Sequence, residues 1–121
     1  CIGETSEEQE RWKEVLKEQI AVGLEGVDKS LVTIAYEPIW AIGPGKIPPD
    51  KDYITMIGTY IKEITDGCDV VYGGGLKGDN AEMLASVPVM DGGLIALTRF
   101  QGEIGFYPEE YLEIIKTYMG H

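Results

Sequence analysis

One carboxylate in this chain stands between an apolar run and a glycine-rich loop. Leu31, Val32, Thr33, Ile34 and Ala35 lead through Tyr36 to Glu37, and Pro38 follows. A carboxylate delivered to the carboxyl end of a buried strand acts as a general base when its surroundings are partly dry. Pro38 fixes the next backbone angle. Ile39, Trp40, Ala41, Ile42, Gly43, Pro44, Gly45 and Lys46 come after it. Pro38 and Trp40 make a stiff leading edge, and Ala41, Ile42 and Gly43 an apolar tip with an accessible amide. Gly43 and Gly45 permit backbone geometry that other residues resist. Such a loop closes, excludes water and aims an amide at a ligand oxygen. A solvated surface glutamate is the commoner fate of this residue type. The apolar run before Glu37 and the Pro38, Ile39, Trp40 sequence after it favour the chemical reading.

Other reactive residue types are sparse. Cys1 and Cys68 do not make a disulfide framework, and no His/Cys cluster has ligand spacing, so no metal is expected. Cys68 reads as buried packing, Glu7, Glu8 and Glu10 as a solvated helix face, and Tyr107, Tyr111 and Tyr118 as helix packing. The single histidine, His121, is a tail residue without an expected role. The net charge of −11 makes nucleic acid a poor partner. It leaves room for an anionic ligand held by local backbone donors. No apolar run is long enough to span a bilayer, so no membrane partner is expected. A reduced, cytoplasmic setting is expected.

The elements that must position Glu37 follow from periodicity and punctuation. Cys1, Ile2, Gly3, Glu4 and Thr5 read as a strand end running into a helix. Ser6 with Gln9 predicts a capping box, and Trp12, Val15, Leu16 and Ile20 an apolar helical stripe. Residues 31–35 predict a strand buried on both faces. Pro48, Pro49 and Asp50 open a second helix facing inward through Ile54, Ile57, Ile61 and Ile64, and Gly67 stops it. Residues 69–72 predict a second strand, ending in Gly73, Gly74 and Gly75. Asp79 and Asn80 cap a short helix through Met83 and Leu84. A third strand lies within 89–97, most clearly over 94–97. Pro108 opens a last helix with an apolar face of Tyr111, Leu112, Ile115, Tyr118 and Met119, closed by Gly120.

This alternation predicts an α/β fold with a parallel sheet covered by helices. No linker divides residues 1–121, which read as part of one domain. Three strands and a remnant do not close an eight-stranded barrel, so the chain is expected to be about half of a (β/α)8 barrel of roughly 250 residues. The start at Cys1 rather than methionine fits an excised piece. The competing architecture is a small open doubly wound sheet. Its dinucleotide-binding version is weakened by the lack of a Gly-x-Gly-x-x-Gly turn.

The string from Ala35 to Lys46 closely resembles the catalytic-base and lid segment of the triosephosphate isomerase family. Cys1 to Thr5 resembles the segment after that family's fifth strand. Tyr72, Gly73 and Gly74 resemble the start of its seventh-strand loop, and Asp91 with Gly92 the start of its eighth strand. The likeness covers the whole chain as the carboxyl-terminal half of the family's TIM barrel. It implies an isomerase interconverting dihydroxyacetone phosphate and glyceraldehyde 3-phosphate through an enediolate, in glycolysis and gluconeogenesis, without a cofactor. Glu37 matches the general base, and Gly43 the lid residue whose amide meets the phosphate. Pro38, Trp40 and Lys46 belong to the lid, and Glu4 matches a glutamate beside the lid tryptophan.

Some matching positions differ. Gly75 stands where the family has a serine. Tyr72 matches a tyrosine that bonds a lid-end amide, but the matching residue here is Pro48, which has no N–H. Lost bonds of about 0.5–1.5 kcal/mol each shift a closure equilibrium. Ala96 and Leu97 replace a glycine pair whose amides bind phosphate, and Lys77 and Arg99 are alternative sources of positive charge. Arg99 equally reads as a solvent-facing residue beside Phe100. The family's catalytic lysine and histidine come from its other half, so the isolated chain is expected to lack substantial activity. It is expected to self-associate or to pair with an amino-terminal half, as members commonly form homodimers. Two alternatives stand beside this reading: a paralogue acting on a four-carbon sugar phosphate, and a non-catalytic, self-associating half-barrel.

Overall fold

A computed structural model describes residues 1–120; His121 lies outside the described residues. Three parallel strands, β1 (Thr33–Tyr36), β2 (Asp69–Tyr72) and β3 (Gly92–Gly93), form one sheet in that order. Thr33 pairs with Asp69 and Tyr36 with Tyr72, while Val71 and Tyr72 face Gly92 and Gly93. On the other side of β1, Ile2 makes a parallel bridge to Tyr36. Its amide donates to the Ala35 carbonyl at 2.9 Å, and its carbonyl accepts from the Glu37 amide at 2.7 Å. The segment read as a strand end therefore adds a one-residue fourth rung. Helices α1 (Trp12–Gly23), α2 (Lys51–Ile64), α3 (Ala81–Ala85) and α4 (Pro108–Met119) alternate with the strands. The α/β class expected from the sequence is the one observed.

Helix α2 formed as its pattern dictates. The Asp50 carboxylate caps it by accepting from the Tyr53 amide at 2.9 Å. Ile54, Ile57 and Ile61 are wholly buried against the sheet residues Ile34, Tyr36, Val70 and Tyr72, with Leu16 and Ile20 of α1 in the same cluster. Asp91 ties the far end of this layer. Its carboxylate accepts from the Lys62 ammonium at 2.7 Å and from the Val70 amide at 2.8 Å. Among the described residues, no helix is long and apolar enough to cross a membrane.

Several boundaries differ from expectation. The helix-opening box belongs to Thr5 and Glu8, not Ser6 and Gln9: the Glu8 carboxylate accepts from the Thr5 amide at 3.0 Å. A 3₁₀ turn, Ser6–Arg11, then precedes α1. The first strand starts at Thr33, because Asp28 accepts from the Ser30 amide and holds Lys29–Leu31 in a 3₁₀ turn with Leu31 exposed. The third strand lies at Gly92–Gly93 rather than over 94–97. Beyond Tyr72 the neighbouring strand turns away: the Leu94 amide takes the last β2 carbonyl, that of Tyr72, at 2.9 Å. Apolar residues downstream have no ladder left to join. The buried residue of α4 is Ile114, outside the predicted face; of that face only Tyr118 packs, partly buried, against the core, whereas Leu112 and Met119 are 55% and 61% exposed, and Tyr111 and Ile115 are also exposed. Helix α4 packs chiefly on α3, so only a narrow stripe of it finds cover.

Candidate active site

Glu37 is the first residue past β1, and its backbone is pinned before its side chain is considered. Its amide bonds the Ile2 carbonyl. Its own carbonyl passes so close to Gly3 that a Cβ there would lie 1.8 Å from the oxygen. The half-buried side chain then leans across the end of β2. A Cβ on Gly73 would sit 2.8 Å from Glu37 Cγ and 2.9 Å from Oε1. A Cβ on Gly74 would meet the Tyr72 hydroxyl at 2.5 Å and the Pro38 ring at 2.8 Å. The glycine turn after β2 thus leaves room for the Glu37 side chain and for the root of the loop that follows it.

That loop runs through a 3₁₀ turn, Ile39–Ala41, and is held at its leading end by Glu4. The Glu4 carbonyl accepts from the Ile39 amide and its carboxylate from the Trp40 indole N–H, each at 3.0 Å. Glu4 is completely buried and takes further donations from the hydroxyls of Tyr36 and, at 3.3 Å, Tyr53. Burial first, and the bond to Glu4 next, push the Tyr36 phenol far above the ordinary range, so it remains a donor. The Tyr72 phenol is likewise pushed up, by burial and then by the charge of Glu4. Its hydroxyl donates to the Gly74 carbonyl at 2.6 Å, so it fastens the glycine turn rather than the loop.

At the loop's tip, Gly43 adopts a φ of 113°, which a side chain resists. Gly43, Lys46 and Pro48 meet Gly75 and Lys77 around a void of about 10 Å³. This is room for roughly one water molecule, so a phosphate would require the loop to shift. Gly75 also has positive φ, 85°, and a Cβ on it would stand 3.1 Å from the Ala41 carbonyl oxygen. Serine at this position would be strained against the loop. Asn80 secures the same turn: its amide group accepts from Lys77 N–H at 2.9 Å and donates to the Gly75 carbonyl at 3.2 Å. It gives α3 no side-chain cap, contrary to the sequence expectation.

Gly43, Lys46 and Lys77 also open onto a groove of about 790 Å³ beside α4. Arg99 lines it, but its Nε donates to Glu110 at 3.2 Å and its guanidinium lies 3.8 Å from the Tyr107 ring centroid. The bond to Glu110 raises its already high pKa. Lys77 lies 5.3 Å from the Phe100 ring centroid. The structure therefore gathers Gly43, Gly75 and Lys46, and separately Glu4, Trp40 and Tyr36. Exposed Ala96 and half-buried Leu97 line neither the void nor the groove, and neither does Glu37. Sequence reasoning did not single out Tyr53 or the second role of Asn80. Tyr36 gave a signal in retrospect, a strand residue facing opposite to its neighbour Glu37.

A parallel α/β sheet carrying a carboxylate and a glycine-seated loop at its strand ends defines a class of proteins built for chemistry at that edge. The model of one such family, triosephosphate isomerase, matches residues 1–117, and the chain belongs to that family. It is similar to the triosephosphate isomerase of Neisseria meningitidis, 40% identical over 78% of this chain and 41% of the relative. It is also similar to those of Prosthecochloris aestuarii, at 38% identity over 97% and 48%, and Marinobacter nauticus, at 37% over 98% and 49%. The chain spans about half the length of the curated relatives it matches.

Proposed function

We propose that residues 1–121 supply the base-bearing, carboxyl-terminal half of a single (β/α)8 domain. That domain interconverts dihydroxyacetone phosphate and glyceraldehyde 3-phosphate in the cytoplasm, within glycolysis and gluconeogenesis. Glu37 takes the proton from the carbon beside the carbonyl and returns it to the neighbouring carbon, through an enediolate. The carbonyl itself acidifies the C–H bond, so no cofactor is needed. Gly43 and Gly75 turn their amides to the phosphate, with the amides of Ala96 and Leu97 as further donors after the loop moves. Lys46 and Lys77 add positive charge at that end. The electrophile that polarises the carbonyl comes from an amino-terminal half, the natural partner of this chain alongside a second copy of the domain.

The observation that carries this reading is the seat of Glu37, leaning over Gly73 at the joint of two parallel strand ends. The test joins this chain to the amino-terminal half of a relative and measures turnover of glyceraldehyde 3-phosphate. The hybrid is expected to turn over, the isolated chain to show no substantial activity, and Glu37→Gln to lower kcat by about 10²–10⁴-fold, the usual contribution of a general base. An active hybrid indifferent to Glu37→Gln would overturn the assignment. The glycine at 75 together with Ala96 and Leu97 favours a second reading, a four-carbon sugar phosphate as substrate. Comparing three- and four-carbon phosphates in the same hybrid separates the two.

A further inference from the structure

The loop 38–48 is anchored at its leading end by Trp40 on Glu4. Its trailing end has no comparable polar tie. Among the described residues, the hydrogen bonds made by 42–48 stay within the loop: Ile42 to Ile39 and Lys46 to Gly43. Pro48 offers no N–H, and the Tyr72 hydroxyl is already committed to Gly74. The first side chain past this end that reaches back is Tyr53, on the opening turn of α2. The Asp50 cap fixes its backbone. Its ring meets the Trp40 ring edge-on at 5.5 Å between centroids, with an interplanar angle of 87°. Its hydroxyl donates to the same Glu4 oxygen, Oε1, that receives the Trp40 indole.

We propose that Tyr53 is a positioning residue: it links the loop's trailing hinge to Trp40 and sets the resting posture of the loop. Two aromatic side chains, one inside the loop and one just past its end, share one buried acceptor and pack edge to face. Trp40 cannot leave Glu4 without giving up the Tyr53 ring, an aromatic contact of favoured geometry. Tyr53 thereby does the work that a hydrogen bond to a lid-end amide cannot do where Pro48 stands. The inference concerns the loop's posture and holds whatever ligand the loop covers.

The test follows each tryptophan alone. The chain has two tryptophans, so Trp12→Phe leaves Trp40 as sole reporter and Trp40→Phe leaves Trp12. In the Trp40 reporter, Tyr53→Phe is expected to raise acrylamide quenching, by at most the roughly two- to tenfold by which the loss of one hydrogen bond shifts an opening equilibrium. Tyr53→Ala is expected to raise it further. In the Trp12 reporter Tyr53→Phe should change nothing, because Trp12 packs on Tyr60. Unchanged Trp40 quenching in Tyr53→Phe, or equal rises at both tryptophans, would overturn the proposal. Should Tyr53→Ala unfold, Tyr53→Phe decides, since it removes one oxygen and keeps the ring. No substrate is involved, so an inert chain leaves the test intact.

Discussion

Gly73 lets the placement of Glu37 be tested without altering the carboxylate. A methyl at Gly73 lands on Glu37 Cγ and Oε1, the movable end of a side chain, which can swing aside. Gly73→Ala is therefore expected to change unfolding free energy by less than about 1 kcal/mol. It should still cost the hybrid with a relative's amino-terminal half about 10²-fold in turnover, the usual penalty of a small misplacement. At Gly74 the same methyl meets the Pro38 ring and the Tyr72 hydroxyl, both held in place. Gly74→Ala should destabilise by about 1–3 kcal/mol. Denaturant melts beside turnover assays check both expectations, and a strongly destabilised Gly73→Ala would contradict the first. This contrast also marks what a string of residues reveals. The sequence around Glu37 carries its own context, so a carboxylate just past a strand and the loop after it were legible, while the Glu4–Trp40 pairing, 36 positions apart, came only through the family resemblance. Tyr53 was not legible, because its bond to Glu4 spans 49 positions and depends on how α2 leaves the loop.

Elements were legible where their signals are local. Helix α2 has a cap, a spaced isoleucine face and a glycine stop, and β2 is a short run between two turns. Strand β3 was misplaced because its length is set by its neighbour, β2, which ends at Tyr72. Most of the face of α4 was misread, Tyr118 excepted, because the rule for apolar residues presupposes something to pack against. The joint that does fix β2 to α2 can be tested by pH. The Lys62 ammonium first, and the Val70 amide in support, hold the Asp91 carboxyl below its ordinary value of 3.8. The folded state then binds its proton less readily than the unfolded chain does. Its contribution is complete above that value and fades as pH falls through it towards the lower folded value. The pair is partly exposed, with side chains 26% and 37% accessible, so its worth is at most about 1 kcal/mol. Asp91→Asn is expected to be less stable at neutral pH and to lose less stability on acidification. Urea melts between neutral and strongly acidic pH measure this, and parallel pH curves for the two proteins would refute it.

The molecule as a whole has more surface than its mass requires. A compact monomer of this size exposes roughly 6,500 Å², whereas this chain of 13.3 kDa exposes 7245 Å². Part of the exposed apolar surface is grouped in one segment of the chain. Ile104, Phe106, Tyr111, Leu112, Ile115 and Met119 are all exposed, on α4 and the turn that feeds it. Phe106 and Tyr111 pack on each other, with centroids 5.3 Å apart, without further cover. Grouped apolar residues of this kind mark a contact surface. Opposing contact between copies is the net charge of −11, a repulsion that salt screens beyond about 10 Å at 0.1 M. The isolated chain is therefore expected to self-associate in sedimentation experiments, more strongly as salt rises. Leu112→Lys with Ile115→Lys should weaken that association and leave the far-UV circular dichroism unchanged, because neither side chain is buried. An amino-terminal half from a relative should compete for the same face and displace the second copy. A chain that stays monomeric at every concentration and salt, or a double variant that associates as before, would place the contact elsewhere.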